Sequence, residues 1–311
     1  MKRRLKHRLE YALVRGAQLL VGLLPMSAVR SLGGVLGRLV YALDGFHRRV
    51  ALENLSHAFP ARSAAELSTL TRAMFMHFGR WALELLKFSG LSREQMQQLV
   101  DSEGEERVWQ AYEQGRGVLL FTGHFGYWET QALVLALRIR PMSVLARPLD
   151  NPHVHALLER VRTCTGNSVI YRKGAVRKVL RELTENRGVA ILIDQHLLTP
   201  DAVYVDFFSR PAATTSALAA LALRTGAPVI PAFALPLPNG RYRLVYERPV
   251  EPPQSDSPDA VREFTQRCTD VLEMYVRRRP DLWLWMHRRW RDMPPAPGDS
   301  ELTFDKGEPD V

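Results

Sequence analysis

The sequence predicts an α/β protein with a mostly parallel central sheet covered by helices, preceded by an amphipathic helical extension. Two observations carry this. From about residue 103 onward, short β-rich runs alternate with helical stretches of ten or more residues, the pattern of parallel strands joined by crossover helices. One of those runs, "VAILID", is apolar up to its closing Asp, as a strand covered on both faces must be.

The chain opens on Lys2, Arg3, Arg4, Lys6 and Arg8, but Arg15 breaks the apolar region that follows and no small-residue cleavage site appears, so no cleavable signal peptide is expected. Gly16 to Val29 is uncharged for 14 residues, short of the roughly 20 needed to span a bilayer. Arg30 and Arg38 punctuate a further apolar run to Leu43. Residues 1–60 therefore admit two readings, a core helix pair or a basic amphipathic element lying in a membrane interface. The Gly33 to Gly37 spacing is expected to add little to either.

Ser63 and Glu66 form a capping box ahead of a long helix whose apolar stripe is Leu67, Leu70, Met74, Phe78, Trp81, Leu85 and Phe88, ending near Gly90. The expected strands are Val118–Phe121, Ser143–Arg147, Ser168–Tyr171, Val189–Asp194, Pro228–Ala234 and Tyr242–Glu247. Helices at His153–Thr163, Ala175–Glu185 and Ser216–Arg224 lie between them. The "PNG" turn makes the last strand pair antiparallel. After a Pro-rich connector, a final amphipathic helix runs to about Arg279, and the aperiodic tail 294–311 reads as disordered. Residues 61–293 thus form one α/β domain.

A net charge of +9 points to an anionic partner surface: nucleic acid, phospholipid or an acidic protein. Cys164 and Cys268 are far apart and in no ligand spacing, and "NPHVH" lacks a third ligand, so neither a disulfide framework nor a metal site is expected. The chain has no GxSxG elbow, Walker-type loop or strand-linked GxGxxG, which counts against a serine hydrolase, a nucleotide triphosphatase and a dinucleotide enzyme.

In parallel sheets, ligands bind outside the carboxyl ends of the strands, where His124, Arg147 and Asp194 fall. His124 and Glu129 are five residues apart, about 140° of turn on a regular helix, and share no face. They meet only if His124 lies in the turn before a helix and Glu129 projects from that helix's first turns. A carboxylate there accepts the imidazole N–H and frees the other ring nitrogen to take a proton. A helix-start Glu favoured by the dipole is the plain alternative.

Five blocks, "GHFGYWE", "ARPLDNPHVHALLERVR", "IDQH", "VDFFSRPAATT" and "PDLWLWMHRRW", run in the order in which they stand in the bacterial lipid A late acyltransferase family. The chain resembles that family over most of residues 10–293. The resemblance implies a glycerol-3-phosphate acyltransferase-like fold. It also implies transfer of a fatty acyl group to a lipid hydroxyl at the cytoplasmic face of the bacterial inner membrane. The donor it implies is acyl carrier protein or coenzyme A, as a co-substrate with no other cofactor. His124 and Glu129 match the family's H-x4-D/E catalytic pair, with His124 as general base and Glu129 orienting it. Arg147 and Asp194 match positions implicated in activity, as substrate-binding residues or as an ion pair with each other, and Arg210 matches a further one less closely. Arg147 or the amides opening the helix after His124 would hold the oxyanion. Arg172 and Lys173 are weaker phosphate candidates. The implied acceptor is a lipid A precursor, with another glycolipid or a lysophospholipid as the alternative. From other classes, a basic nucleic-acid-binding protein and a non-catalytic lipid binder stay open on the residues alone, although the resemblance leaves no place for nucleic acid.

Overall fold

The computed structural model describes residues 2–171, 174–197, 202–238, 240–253 and 259–291. The expected phosphate candidates Arg172 and Lys173 and the expected disordered tail lie outside them. At the centre is a seven-stranded sheet of β1 (Val100–Glu103), β2 (Val118–Thr122), β3 (Met142–Ala146), β4 (Ser168–Tyr171), β5 (Gly188–Leu192), β8 (Val229–Pro236) and β9 (Tyr242–Tyr246), in the order β1-β9-β8-β2-β5-β3-β4. Every pairing is parallel except β8 with β9, so the predicted class and its antiparallel closing pair are both present. Strand β1, which pairs along β9, was not expected.

Alternation along β2 explains the two cores. Leu119 and Phe121 point to a face covered by α9 (Ala175–Thr184), α10 (Ala217–Thr225) and α11 (Ala260–Arg278), where Val179, Leu183, Leu218 and Leu272 meet them. Val118 and Leu120 point the other way, onto Val108 and Tyr112 of α6 (Glu105–Glu113) and Leu133 and Val134 of α7 (Trp128–Arg138). Helix α8 (Pro152–Thr163) joins the second layer through Val161. With both faces covered, a strand has no polar side to show, which is why "VAILID" carries none until its last residue.

"VDFFSRPAATT" forms a separate hairpin of β6 (Ala202–Phe207) and β7 (Arg210–Thr215). Its turn residues Phe208 and Ser209 both take positive φ, +56° and +59°, without the Gly or Asn that normally marks such a turn. The hairpin was therefore silent in the sequence.

The extension comprises α1 (Lys2–Leu23), α2 (Met26–Leu43) and α3 (Gly45–Ala58), packed on α4 (Ala64–Phe88) and, between α4 and the sheet, the short α5 (Arg93–Gln98). Ser63 and Glu66 make the predicted capping box. The expectation about glycine spacing is corrected here: Gly33 and Gly37 of α2 cross Gly79 of α4 at backbone contact. A Cβ on Gly37 would stand 2.2 Å from the Phe75 carbonyl oxygen, and one on Gly79 2.3 Å from that of Gly33. Only three glycines let the two helix axes approach so closely. Helix α4 feeds Met74 and Phe75 to one core and Leu85 and Phe88 to the other, so it passes the sheet from face to face. The two readings of the extension resolve unevenly. Val29 and the glycines of α2 are buried, yet Leu5, Leu9, Leu13, Leu19, Leu20, Leu23, Leu32, Val35, Leu39 and Leu43 stay exposed, Leu23 at 87%. Among the described residues, no helix is long and apolar enough to cross a membrane.

Candidate active site

The register of the sheet builds the site. Strands β2 and β5 pair in parallel with a constant offset, Val118 opposite Gly188 through Thr122 opposite Leu192, and Ile193 N–H continues the ladder to the Thr122 carbonyl. Two residues further, His124 and Asp194 stand level with each other as the strands run out. Asp194 Oδ1 lies 2.9 Å from His124 Nδ1, and Asp194 Oδ2 accepts the His124 backbone N–H at 2.6 Å. The carboxylate takes a third donor, the Trp283 indole N–H at 2.8 Å.

These contacts set the ionisation of the pair. Burial would push the Asp194 carboxyl up, but the adjoining imidazole and the donors around it outweigh burial and hold it down at about 2. Burial would lower His124, and Asp194 outweighs that too, so the imidazole is raised. The anionic carboxylate fixes the proton on Nδ1 and leaves Nε2 as the ring nitrogen able to accept. The imidazole side chain keeps 18% of its surface accessible, against 2% for Asp194. A charged anchor sits behind a reachable imidazole.

Glu129 does not orient His124. It occupies the first turn of α7 and faces α8, where Arg162 donates Nε to both carboxylate oxygens at 3.1 and 3.0 Å and its Nη2 to one of them. Glu129 is buried and Arg162 partly so, and although burial alone would lower the guanidinium, Glu129 holds it raised. The correction has a plain cause. By the start of α7 the imidazole has already turned sideways to β5, and a residue on the far side of the turn is closer to a neighbouring helix than to the ring. Glu129 still acts on His124 through space as a negative charge that favours its protonated form.

The expected ion pair between Arg147 and Asp194 is also absent. Arg147 lies on the exposed loop after β3, 74% accessible, 3.8 Å from Asp150. Arg210 opens β7 at the hairpin tip, opposite Phe207, in a sheet separate from the one that carries His124. The three strand ends lie side by side in the order β2-β5-β3, but of their side chains only His124 and Asp194 bond each other.

Residues not singled out beforehand hold the turn after β2. His77 of α4 bonds the Gly126 carbonyl through Nε2 at 3.2 Å, and Glu84 of α4 accepts the Tyr127 hydroxyl at 2.9 Å, the Tyr242 hydroxyl, and Arg30 Nε of α2 at 3.0 Å. The segment that starts at the 3-10 turn Pro280–Leu282 completes the frame: Leu284 N–H donates to the His124 carbonyl and Gly126 N–H to that of Leu282. The Gly126 and Tyr127 amides are thereby spent on the Leu282 and Ala234 carbonyls, which removes two of the helix-opening donors expected for an oxyanion. Beside the imidazole, Trp128 stands edge-on at 5.2 Å and stacks on Trp81 at 4.4 Å, a dry aromatic wall.

A carboxylate-held imidazole at the carboxyl edge of a doubly covered parallel sheet is an arrangement able to do general acid–base chemistry. The chain belongs to the bacterial lipid A biosynthesis acyltransferase family, which it matches over residues 1–292, and it is an acyltransferase. Similar proteins include the lipid A biosynthesis myristoyltransferase of Escherichia coli K12, 26% identical over 81% of this chain and 77% of that one. The lipid A biosynthesis lauroyltransferase of the same organism is 25% identical over 90% of each. The phosphatidylinositol mannoside acyltransferase of Mycolicibacterium smegmatis is 25% identical over 71% of this chain and 72% of the other.

Proposed function

We propose that this acyltransferase moves a fatty acyl group from a thioester of acyl carrier protein or coenzyme A to a hydroxyl of a lipid A precursor, with His124 as general base and Asp194 as its orienting carboxylate. The observation that carries the reading is the bond from Nδ1 to Asp194, which directs Nε2 to the incoming alcohol. An alcohol is a weak nucleophile until its proton is drawn off as it attacks. Nε2 takes that proton while the oxygen adds to the thioester carbonyl, and Asp194 stabilises the imidazolium that results. When the tetrahedral intermediate collapses, the C–S bond breaks and the imidazolium returns the proton to the thiolate. The ester forms, the thiol leaves, and the base is regenerated without a covalent enzyme intermediate.

Glu129 serves by fixing Arg162 and α8 against the catalytic turn. Arg147, on the exposed rim, is suited to an acceptor phosphate, which a guanidinium meets with a fork of donors. Arg210 takes no part in this reading. The lipid A acceptor rests on the family and on relatives named for lipid A; the mycobacterial relative makes a mannosylated lipid the runner-up.

The extension supports a membrane setting at the cytoplasmic face of the inner membrane. Asn151, which caps α8 just past the Arg147 loop, donates to the His7 carbonyl at 2.9 Å and to Glu10, so α1 is fastened at the same carboxyl edge as the site. Its exposed leucines, with Arg3, Arg4, Lys6 and Arg8, suit an anionic lipid surface. The test is transfer of a labelled acyl chain from each thioester to extracted membrane lipids. Label in a lipid A precursor, lost in His124→Ala, is the expected result. Label in another glycolipid replaces the acceptor, and no transfer to any lipid from either donor contradicts the reading.

A further inference from the structure

We propose that Trp283 is a positioning residue for the reaction, whose indole N–H fixes the Asp194 carboxylate so that it presents Oδ1 to the imidazole. The inference rests on the reading of His124 as the base. Asp194 receives three donors, and two of them, the backbone N–H and Nδ1 of His124, belong to the residue it must orient. A carboxylate held only by its own client would swing with it. Trp283 supplies the independent point, at 2.8 Å on Oδ2.

The indole itself cannot move. Trp283 is 1% exposed, edge-on to Trp285 at 4.6 Å and to Phe207 at 5.2 Å. Its backbone forms an antiparallel bridge with Phe125, the residue after the base, closed by the Leu284 to His124 and Gly126 to Leu282 hydrogen bonds. One segment thus grips the catalytic turn through the main chain and the carboxylate through a side chain. The segment is anchored in turn by Asn54 of α3, whose amide donates to the Trp285 and His287 carbonyls, both at 2.8 Å. Buried Arg289 ties it to β7 through the Ala213 carbonyl and the Thr214 hydroxyl. "PDLWLWMHRRW" suits lipid headgroups, nucleic acid or an ordinary packed C-terminal segment by its Trp and Arg residues; in the fold Trp283, Trp285 and Trp290 are all buried, as in a packed segment.

The N–H is separated from the bulk of the ring by two variants of the full chain, Trp283→Phe and replacement of Trp283 by benzothienylalanine, which keeps the indole shape with sulfur in place of N–H. The isostere carries the test if Trp283→Phe does not fold. In lipid nanodiscs, the His124 imidazole is titrated by NMR, assigned against His124→Gln, alongside kcat and KM. Removing a donor from the carboxylate concentrates its charge on the imidazolium, so the expected result is an upward move of the His124 titration. With it, kcat falls about tenfold at unchanged KM, the scale of a lost hydrogen bond to a charged group. Combined with Asp194→Asn, the Trp283 change should add no further loss, because it acts through Asp194. An unmoved or lowered titration, or losses that multiply, overturns the inference. Full transfer by His124→Gln sinks the general-base reading itself, whatever Trp283 does.

Discussion

At the scale of residues, His124 and Glu129 read as partners in the sequence and stand as neighbours with different bonds. His124→Ala removes the base, and Asp194→Asn leaves the ring in place but without its charged anchor. By analogy with the corresponding change in serine proteases, kcat should fall roughly 10³–10⁴-fold in Asp194→Asn. Glu129→Ala behaves differently: it strands the partly buried Arg162 guanidinium, so thermal unfolding should show a loss of about 1–3 kcal/mol along with reduced activity. Glu129→Ala paired with an Arg162→Met change should recover much of that stability, which a Glu129 bonded to the imidazole would not predict. The sequence carried the two strand ends that place His124 and Asp194, because apolar strands stop legibly. It did not carry which carboxylate the ring turns to. That choice depends on the β2 to β5 register, a property of two segments 70 residues apart that no local spacing encodes.

At the scale of elements, the crossing of α2 and α4 is the most exacting contact. Gly37→Ala drives a methyl into the Phe75 carbonyl and should cost about 1–3 kcal/mol, with α2 displaced, as measured by denaturant unfolding. An exposed Gly16→Ala change meets nothing within 4 Å and sits inside α1, so it should be neutral or mildly stabilising. The six strands with apolar runs were legible for the same reason that α4 was: periodicity reports burial directly. Strand β1 and the β6–β7 hairpin were not. "VDSE" is too short and polar to signal a strand, and a turn made by Phe208 and Ser209 lacks the residues that announce turns.

At the scale of the whole molecule, burial of two histidines makes the fold sensitive to acid. His77 is lowered to about 4, first by burial, and is neutral in the native state while it bonds Gly126; His287 is lowered to about 4 for the same first cause. The unfolded chain takes up protons below about 6.5 that the native state refuses, so stability should fall as the pH drops from about 6.5 to 4. His124 acts oppositely: its raised value contributes stability at low pH that is lost as the pH rises through it. Asp194 adds a further loss as the pH falls from about 3.8 towards 2. Unfolding midpoints across this range, compared between the unaltered chain and His77→Gln, should show the acid slope reduced in the variant. The exposed leucines give a second molecular prediction. Leu19, Leu23, Leu39 and Leu43 changed together to Gln should weaken sedimentation with anionic vesicles while leaving the unfolding midpoint nearly unchanged.

In the proposed mechanism His124, held by Asp194, draws the proton from a lipid hydroxyl. Single-turnover acyl transfer from an acyl thioester to lipid acceptor across a pH series tests it most directly, with the unaltered chain, His124→Ala and Asp194→Asn side by side. The account predicts a rate that rises through one ionisation in the unaltered chain, vanishes in His124→Ala, and falls by three to four orders of magnitude in Asp194→Asn with the fold intact. Transfer by Asp194→Asn at the unaltered rate and with the unaltered pH profile would contradict it.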